Sequence, residues 1–339
     1  MDAQSLAKTV QTPFKHGSLI LSPSFRPGDF DSHGVDCPFV FRHEDRFLMT
    51  YIGFDGLGYR TGLAWSDDLL VWHREGMILD RGIAGSVTQH NAALTWILRD
   101  NDLFGTGCLR QIDGRYVGTY HAYPAQGYES GPAVIGICSS TNLRDWEIGE
   151  PCLIPAEGEE WERGGLYKSC LIEFQRRYYL FYNAKTVGVP WIEQTGVAIS
   201  RDLVRWERYD GNPILRTGAE GAFDERFASD PCVLRVGDAW AMFYFGLGRD
   251  GHARDGVAFS RDLLHWEKSG SVLVDVGPPG AVDSRYAHKP SMFWHRNRLF
   301  HFYCAVSPRS EQAAVGAVHT SETRGISVAV SSNGSRSLL

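Results

Sequence analysis

A phrase of seven residues recurs four times along the chain and constrains the fold more than any other feature. Each copy begins with Ser, carries Asp or Asn followed by Leu at its third and fourth positions, and ends in Trp; the copies start at Ser66, Ser140, Ser200 and Ser260. A short apolar segment that opens with glycine precedes each copy, and these glycines (Gly62, Gly136, Gly196 and Gly256) are 74, 60 and 60 residues apart. A fixed long period of this kind indicates a repeat architecture.

A fifth, weaker copy starts at Gly316, 60 residues after Gly256. Within one period an apolar run is followed by a turn, an aromatic-rich strand, a loop, the glycine strand and the Ser-to-Trp turn. The runs are rich in β-branched and aromatic residues and none has a sustained helical period, so each is predicted to be a strand. Four short antiparallel strands in each of five repeats are typical of a β-propeller. We therefore predict an all-β, single-domain five-bladed β-propeller.

The predicted domain covers residues 1–330, and the polar residues 331–339 are predicted to form a disordered tail. The blades are expected at about 31–80, 90–155, 164–216, 224–275 and 282–328. The second repeat is longer by 14 residues, with the excess around 99–104 and 121–131. Extra loop on a rigid scaffold predicts a functional rim or a partner surface there.

Composition narrows the class of partner. A net charge of -6 gives no basic surface, so nucleic acid and membrane are not expected as partners. Residues 1–17 contain no apolar core of a signal peptide, so we expect a cytoplasmic location. The seven cysteines form no CxxC pair, so we expect them to be buried free thiols. No zinc motif and no glycine-rich loop before a helix is present, so no metal and no cofactor are expected. The sequence leaves the oligomeric state open.

The innermost strands of a propeller converge on its axis, and their starting residues therefore bear on function. Alignment of the five inner strands places Asp36, Thr106 (or its neighbour Gly105), Lys168, Asp230 and Lys289 at this position. A purely structural repeat would keep one residue type there. Two acids and two bases from four different blades instead predict a polar site at the axis.

The two acids occur in similar contexts, Asp36-Cys37-Pro38 and Asp230-Pro231-Cys232. Proline at the beginning of a strand removes no ladder hydrogen bond and restricts the backbone beside the acid. Two carboxylates at a shared axis suit glycosyl transfer, in which one acts as base or nucleophile and a second group protonates the leaving oxygen.

These features resemble a known group of enzymes. The five repeats, the Asp-x-Pro opening of the first blade and the Ser-x-Asp-Leu-x-x-Trp phrases are similar to the five-bladed propeller glycosidases of glycoside hydrolase families 43, 32, 117 and 130, over about residues 30–325. The phrase is specific for the superfamily but does not choose among its families. The resemblance implies that Asp36 is the catalytic base or nucleophile.

The individual families match only in part. At the axis position, blade two has no acid and blade three has Lys168, so the family 43 pattern is not reproduced. The Arg-Asp-Pro and Glu-Cys motifs of family 32 are not reproduced either. Asp230 and His288 are more similar to the Asp pair and histidine acid of family 117, although that family's helical N-terminal extension has no counterpart. Family 130 uses one acid and binds phosphate with cations, a role open here to Lys168, Lys289, Arg285 and His288.

The general acid is predicted to be Glu225, on the loop that enters the axis, or His288, beside Lys289. Glu193 is a third and weaker candidate for the same role. Further substrate contacts are expected from loops on the same rim; the predicted substrate-binding residues are His90, Lys168, Trp191, Glu193, Arg226, Arg285 and Lys289, with Trp191 as a platform on which a sugar ring stacks.

Together these residues predict a glycoside hydrolase that cleaves a terminal glycosidic bond of a small oligosaccharide. In this prediction Asp36 activates water, Asp230 orients the substrate and tunes neighbouring pKa values, and Glu225 or His288 protonates the departing oxygen. Two alternatives remain at this stage, a phosphate-dependent glycoside phosphorylase and a carbohydrate-binding propeller without catalysis.

Overall fold

The computed structural model describes residues 2–309 and 321–332. The structure is all-β apart from one short helix and two single turns of 3-10 helix, Pro155–Glu157 and Glu160–Glu162. Within these described residues, no helix is long and apolar enough to cross a membrane. The weak fifth copy of the repeat at Gly316 lies outside the described residues.

The strands form five antiparallel units that follow one another along the chain. The N-terminal segment contributes α1 (Ala3–Thr9) and β1 (Phe14–Lys15). Unit one contains β2 (Gly34–His43), β3 (Arg46–Phe54), β4 (Tyr59–Ser66) and β5 (His73–Leu79). Unit two contains β6 (Ala93–Ile97), β7 (Gln111–Ile112), β8 (Arg115–Ala122), β9 (Val134–Ser140) and β10 (Glu147–Leu153). Unit three contains β11 (Gly165–Phe174), β12 (Arg177–Lys185), β13 (Glu193–Ser200) and β14 (Glu207–Arg208). Unit four contains β15 (Phe227–Val236), β16 (Ala239–Leu247), β17 (Ala253–Ser260) and β18 (Glu267–Val274). Unit five contains β19 (Tyr286–His295), β20 (Arg298–Pro308) and β21 (Glu322–Val330).

The first strands of the five units (β2, β6, β11, β15 and β19) contact one another in cyclic order, and β19 also contacts β2. Unit five obtains its outer strand from the other end of the chain, because β1 pairs with β21. The helix α1, which lies on β17 and β18, was not predicted from the sequence. Its Asp2 cap and its buried Ala3, Leu6 and Ala7 account for it locally.

The recurring glycines are explained by a tyrosine on the neighbouring strand. Each repeat glycine pairs with a buried Tyr across the second and third strands: Tyr51 with Gly62, Tyr120 with Gly136, Tyr182 with Gly196, and Tyr244 with Gly256. A Cβ atom at Gly62, Gly136 or Gly196 would lie 2.4–2.7 Å from the tyrosine ring. Any larger residue would therefore displace the ring.

The Ser-to-Trp phrase forms the structural turn that the sequence predicted. In the first copy, Ser66 Oγ accepts from the N–H of Leu69 at 2.9 Å, and Asp68 Oδ1 accepts from the N–H of Val71 at 2.8 Å. Leu69 is buried at a positive φ of 69°, and Trp72 Nε1 donates to its carbonyl. Trp72 packs edge-on against Phe302 of unit five. The phrase thus joins neighbouring units and carries no chemistry.

A β-bulge near the start of each first strand positions the polar residues. The pairing register shifts by one residue at this place in all five units. The bulge residues Cys37, Lys168, Asp230 and Lys289 have positive φ values of 48°, 37°, 56° and 65°. Bulges redirect side chains and are common beside active sites.

The predicted position in unit two is wrong. The first strand of that unit is β6, in which the bulge falls at Thr95. Thr106 lies in the following loop, where it is exposed and donates a hydrogen bond to Asp100 Oδ2 at 3.0 Å. The alignment failed because this loop inserts extra residues after a strand that carries no charge or proline to mark it.

Candidate active site

Two adjoining cavities open at the N-terminal ends of the first strands. The Asp36 cavity, of about 360 Å³, is lined by Asp36 and by apolar residues that include Ile52 and Phe54. The Glu193 cavity, of about 380 Å³, is lined by eight acidic, basic or histidine residues among others: Glu129, Glu193, Arg226, Asp230, His288, Lys289, Glu322 and Arg324. Tyr128, Glu322 and Arg324 line both cavities and separate them.

Asp36 is an ionised carboxylate held by cations. Its Oδ2 lies 2.9 Å from Lys289 Nζ and 3.1 Å from Arg324 Nη1, and its Oδ1 accepts from the N–H of Cys37 at 2.7 Å. Burial alone would raise the pKa of Asp36, but the charges of Lys289 and Arg324 outweigh it and hold the pKa well below the usual range. A carboxylate with so low a pKa is a weak base, so this geometry argues against Asp36 as the residue that activates water.

Glu193 is fixed by four neutral hydrogen-bond donors. Its Oε1 accepts from the Tyr167 hydroxyl at 2.8 Å and from Trp191 Nε1 at 2.9 Å. Its Oε2 accepts from Asn183 Nδ2 at 3.2 Å and from Ser229 Oγ at 3.1 Å. Only 5% of the residue is exposed, so its position in the cavity wall is defined closely.

Asp230 shares a donor with Glu193. Asn183 Nδ2 also donates to Asp230 Oδ1, at 3.0 Å, so that one amide group bridges the two carboxyl groups. Burial raises the pKa of Asp230 to about 7, against the lowering effect of Lys289 and Lys168. Asp230 therefore holds a proton through the acid range, whereas Asp36 does not.

Glu129 enters the site from the loop at residues 123–133, which we call the Glu129 loop. This loop belongs to the long insertion of unit two. Its neighbour Tyr128 packs edge-on against Phe54, with ring centroids 5.6 Å apart, and lies under the guanidinium of Arg324. Glu129 Oε1 lies 3.8 Å from Lys289 Nζ, and burial raises the pKa of Glu129 although Lys289 opposes it. With 27% of its side chain exposed, Glu129 remains accessible to a ligand.

His288 is not arranged to donate a proton. Its Nδ1–H donates to the carbonyl of Cys304 at 3.0 Å, so Nε2 is the unprotonated nitrogen and faces Arg324 Nη1 at 3.3 Å. Burial and the charges of Arg324 and Lys289 lower the pKa of His288 well below its usual value. This environment argues against the general-acid role that the sequence suggested for His288.

Glu225, the other predicted acid, does not line either cavity. It pairs with Arg249 at 2.6 Å and accepts from the N–H of Gly221 at 2.9 Å. The backbone donor and Arg249 lower the pKa of Glu225, so it is ionised and paired outside both cavities. A sequence pattern does not show which way a loop carboxylate turns.

The predicted binding residues divide into two groups. Trp191, Glu193, Arg226 and Lys289 line the Glu193 cavity. His90, Lys168 and Arg285 line neither cavity. Lys168 is buried, with 2% exposure, and Arg285 pairs with Glu322 at 3.3 Å.

Trp191, the predicted sugar platform, lines the Glu193 cavity. Phe227 stacks against it with ring centroids 6.1 Å apart, and Lys185 Nζ lies 5.6 Å from the centre of its ring. Its N–H group also holds Glu193, and stacking of a sugar on the ring stays a prediction.

The sequence reasoning missed Glu129, Asn183, Tyr128 and Arg324. The extra length of unit two predicted a functional rim at 121–131, but no motif marks Glu129 within it. Asn183 lies in a strand whose apolar pattern hides it. Arg324 follows the weak fifth copy, where no motif marks the third strand of unit five.

Chemically, the site offers an ionised carboxylate, two carboxyl groups with raised pKa values, and cations that balance them. Among residues 2–309 and 321–332, no cluster of His, Cys, Asp and Glu is arranged to hold a metal ion. Carboxyl groups with pKa values pushed apart are the arrangement that acid–base catalysis at a glycosidic bond requires.

Comparison with known proteins finds similarity to enzymes that act on glycosides. The protein resembles "1,2-beta-oligomannan phosphorylase" of Thermoanaerobacter sp. (strain X514), with 29% identity over 132 residues. That match covers 37% of this chain and 43% of the relative, so the chain spans less than half the length of this curated relative.

Two solved structures align over 96% of this chain and 94% of theirs. The structure of a complex of BT0996 with RGII is 29% identical, with a TM-score of 0.81. A second, described as "Glycoside hydrolase", is 28% identical, with a TM-score of 0.79.

The model of the family "Glycosyl hydrolases family 32 N-terminal domain" matches residues 106–278, just over half of the 339 residues. This match includes Glu129, Asn183, Glu193 and Asp230. The chain therefore belongs to the family of the glycosyl hydrolases family 32 N-terminal domain, within the propeller glycosidase superfamily.

Proposed function

We propose that the protein is a five-bladed propeller, formed as one domain by the five units, that hydrolyses a glycosidic bond of a small oligosaccharide in the Glu193 cavity. The proposal rests on one observation: the Glu193 cavity contains two carboxyl groups, Glu129 and Glu193, in different surroundings. Glu193 is fixed by four donors, and Glu129 has a raised pKa and an accessible side chain.

The roles follow from these environments. Glu129 is the proton donor to the departing glycosidic oxygen, because a carboxyl group with a raised pKa retains its proton nearer to neutral pH. Glu193 is the carboxylate that faces the anomeric carbon, where positive charge develops as the carbon–oxygen bond breaks. Water supplies the hydroxyl group that replaces the leaving sugar, and its second proton restores the acid.

Asp230 and Asp36 support this pair. Asp230, with a pKa of about 7 and the shared Asn183 donor, orients the substrate and tunes the charge beside Glu193. Asp36 holds Lys289 and Arg324 in place instead of activating water. The proposed mechanism thus keeps the predicted role of Asp230 and assigns a different role to Asp36.

A phosphorylase is the second candidate, favoured by the similarity to the oligomannan phosphorylase. It would need free cations to bind phosphate. Lys289 and Arg285 are already engaged by Asp36 and Glu322, and Lys168 does not line either cavity. Among the described cavity-lining cations only Arg226 has no ion pair, so phosphorolysis would depend on Arg226 and not on the cations that the sequence predicted for phosphate.

The experiment is a screen of the purified protein against aryl furanosides, aryl pyranosides and short oligosaccharides, with and without phosphate. Hydrolysis predicts release of free sugar at the same rate in both conditions, lost in Glu193→Gln and retained in Glu225→Gln, the outward-facing control. Release of a sugar 1-phosphate only when phosphate is present would establish the phosphorylase instead. Release that survives in Glu193→Gln would contradict the assigned site.

A further inference from the structure

The cation Arg226 has no carboxylate partner at the wall of the Glu193 cavity. The neighbouring Glu225 turns outward to Arg249, at 2.6 Å, and so does not neutralise Arg226. The other cations that line the two cavities, Lys289 and Arg324, are each in contact with Asp36. Among the described residues, Arg226 is the one cavity-lining cation without an ion pair.

A second cation that lacks an ion pair within the described part of the chain, Lys185, contacts two aromatic rings of this wall. Lys185 Nζ lies 5.4 Å from the ring centre of Tyr167 and 5.6 Å from that of Trp191, and both rings line the Glu193 cavity. In residues 2–309 and 321–332, Lys185 has no carboxylate within ion-pair distance, although Glu193 is its direct cross-strand partner. Glu193 instead accepts from four neutral donors.

Arg226 is held in place by its aromatic neighbour and its backbone. Its guanidinium lies 5.5 Å from the ring centre of Phe227, and its carbonyl accepts from the N–H of Glu193 at 3.2 Å. This backbone bond places Arg226 beside the reacting carboxylate. A planar guanidinium on an aromatic face presents its free N–H edge for bidentate contact with a carboxylate or phosphate group.

We infer that Arg226 and Lys185 form an anion subsite of the Glu193 cavity, and that the group it takes is a carboxylate or phosphate borne by the substrate or supplied beside it. The inference rests on the proposed function for the identity of the neighbouring sugar, but anion binding itself does not depend on turnover. An acidic sugar would place its carboxylate on Arg226 while its anomeric carbon faces Glu193.

Equilibrium binding tests this inference without a reaction. Thermal shift and calorimetry would compare D-glucuronate and D-galacturonate with D-glucose and D-galactose, and would include inorganic phosphate as a separate arm. We expect at least one anion to bind where its neutral counterpart does not. Arg226→Met should weaken that binding by about tenfold or more, whereas Arg201→Met, which removes an exposed arginine outside both cavities, should leave it unchanged.

The uronate and phosphate measurements distinguish the two sources of the anion. Uronate binding with no effect of phosphate assigns the subsite to an acidic sugar, and phosphate binding that Arg226→Met abolishes assigns it to a free phosphate. Absence of binding by every anion, or binding that Arg226→Met and Lys185→Met leave intact, would overturn the subsite. Cleavage of neutral glycosides in the absence of any anion binding would overturn it while leaving the proposed hydrolase in place.

Discussion

The indole N–H of Trp191 donates a hydrogen bond of 2.9 Å to Oε1 of Glu193, two residues further along the chain. Phe227 stacks on the indole ring and Lys185 lies near it, while the N–H group holds the carboxylate of Glu193. We expect Trp191→Phe, which keeps an aromatic ring and removes the donor, to lower kcat about tenfold with little change in KM.

Steady-state kinetics with one substrate checks this expectation. Val204→Ala, an exposed change outside both cavities, is a suitable control. A large increase in KM with an unchanged kcat would instead identify Trp191 as a sugar platform.

Removal of the Asp36 carboxylate should destabilise the protein. Asp36→Asn leaves Lys289 and Arg324 without their shared partner in a region where they are 12% and 10% exposed. Breaking such a buried pair costs about 3 kcal/mol in the free energy of unfolding. Urea denaturation measures this loss, and Asp36→Asn combined with Lys289→Met should recover part of it.

The matched control is Asp29→Asn, which breaks an exposed pair with Arg26. We expect little change in stability from that variant. Equal effects of Asp36→Asn and Asp29→Asn would show that the buried cations do not depend on Asp36.

Asp230 predicts a specific dependence of stability on pH. Its pKa of about 7 in the folded protein lies above the ordinary value of 3.8, so over this interval the native state binds more protons than the unfolded chain. The contribution of Asp230 to stability should therefore fall as pH rises from about 4 to about 7. Asp230→Asn removes this contribution, so its stability relative to the wild type should rise between pH 4 and pH 8 by on the order of 4 kcal/mol.

The measurement is the difference between wild type and variant in urea denaturation across this pH range. Using the difference removes the contributions of the other titrating groups. Parallel pH profiles for the two proteins would refute the raised pKa.

The close contact between repeat glycines and tyrosines predicts a penalty for alanine. In Gly196→Ala the new Cβ atom would meet the Tyr182 and Trp161 rings at 2.7 Å, so we expect a loss of about 1–3 kcal/mol. At Gly34 the nearest atoms are 3.9 Å away, so Gly34→Ala is a control with a smaller effect. Equal stability of the two variants would remove the packing explanation for the glycine period.

The strand pattern and the positions of Lys168, Asp230 and Lys289 could be predicted because each lies at the bulge of a first strand. Asp36 was aligned with them but lies one residue before the bulge residue Cys37. The glycine spacing reflects the packing of each glycine against a tyrosine ring. The acid before a proline marks the β-bulge of the first strand. Thr106 could not be rejected from the sequence, because an insertion after β6 has no signal that separates it from a strand.

The catalytic assignments were harder to predict because they depend on which way side chains turn and on contacts between units. Glu225 and Arg226 are adjacent in the sequence, yet one pairs outward with Arg249 and the other lines the cavity. Glu129 reaches Lys289 of unit five from unit two, across 160 residues of sequence. No local pattern encodes such a contact.

The most direct test of the central claim is the leaving-group dependence of cleavage by Glu129→Gln, on the sugar identified in the substrate screen. If Glu129 is the proton donor, Glu129→Gln should lose about a hundredfold or more in kcat/KM on unactivated oligosaccharides. It should keep most of its activity on aryl glycosides with strongly acidic phenols, whose departure needs no proton, and its activity should lose the alkaline limb of the wild-type pH profile. An equal loss on both kinds of substrate, or no loss on either, would contradict the account.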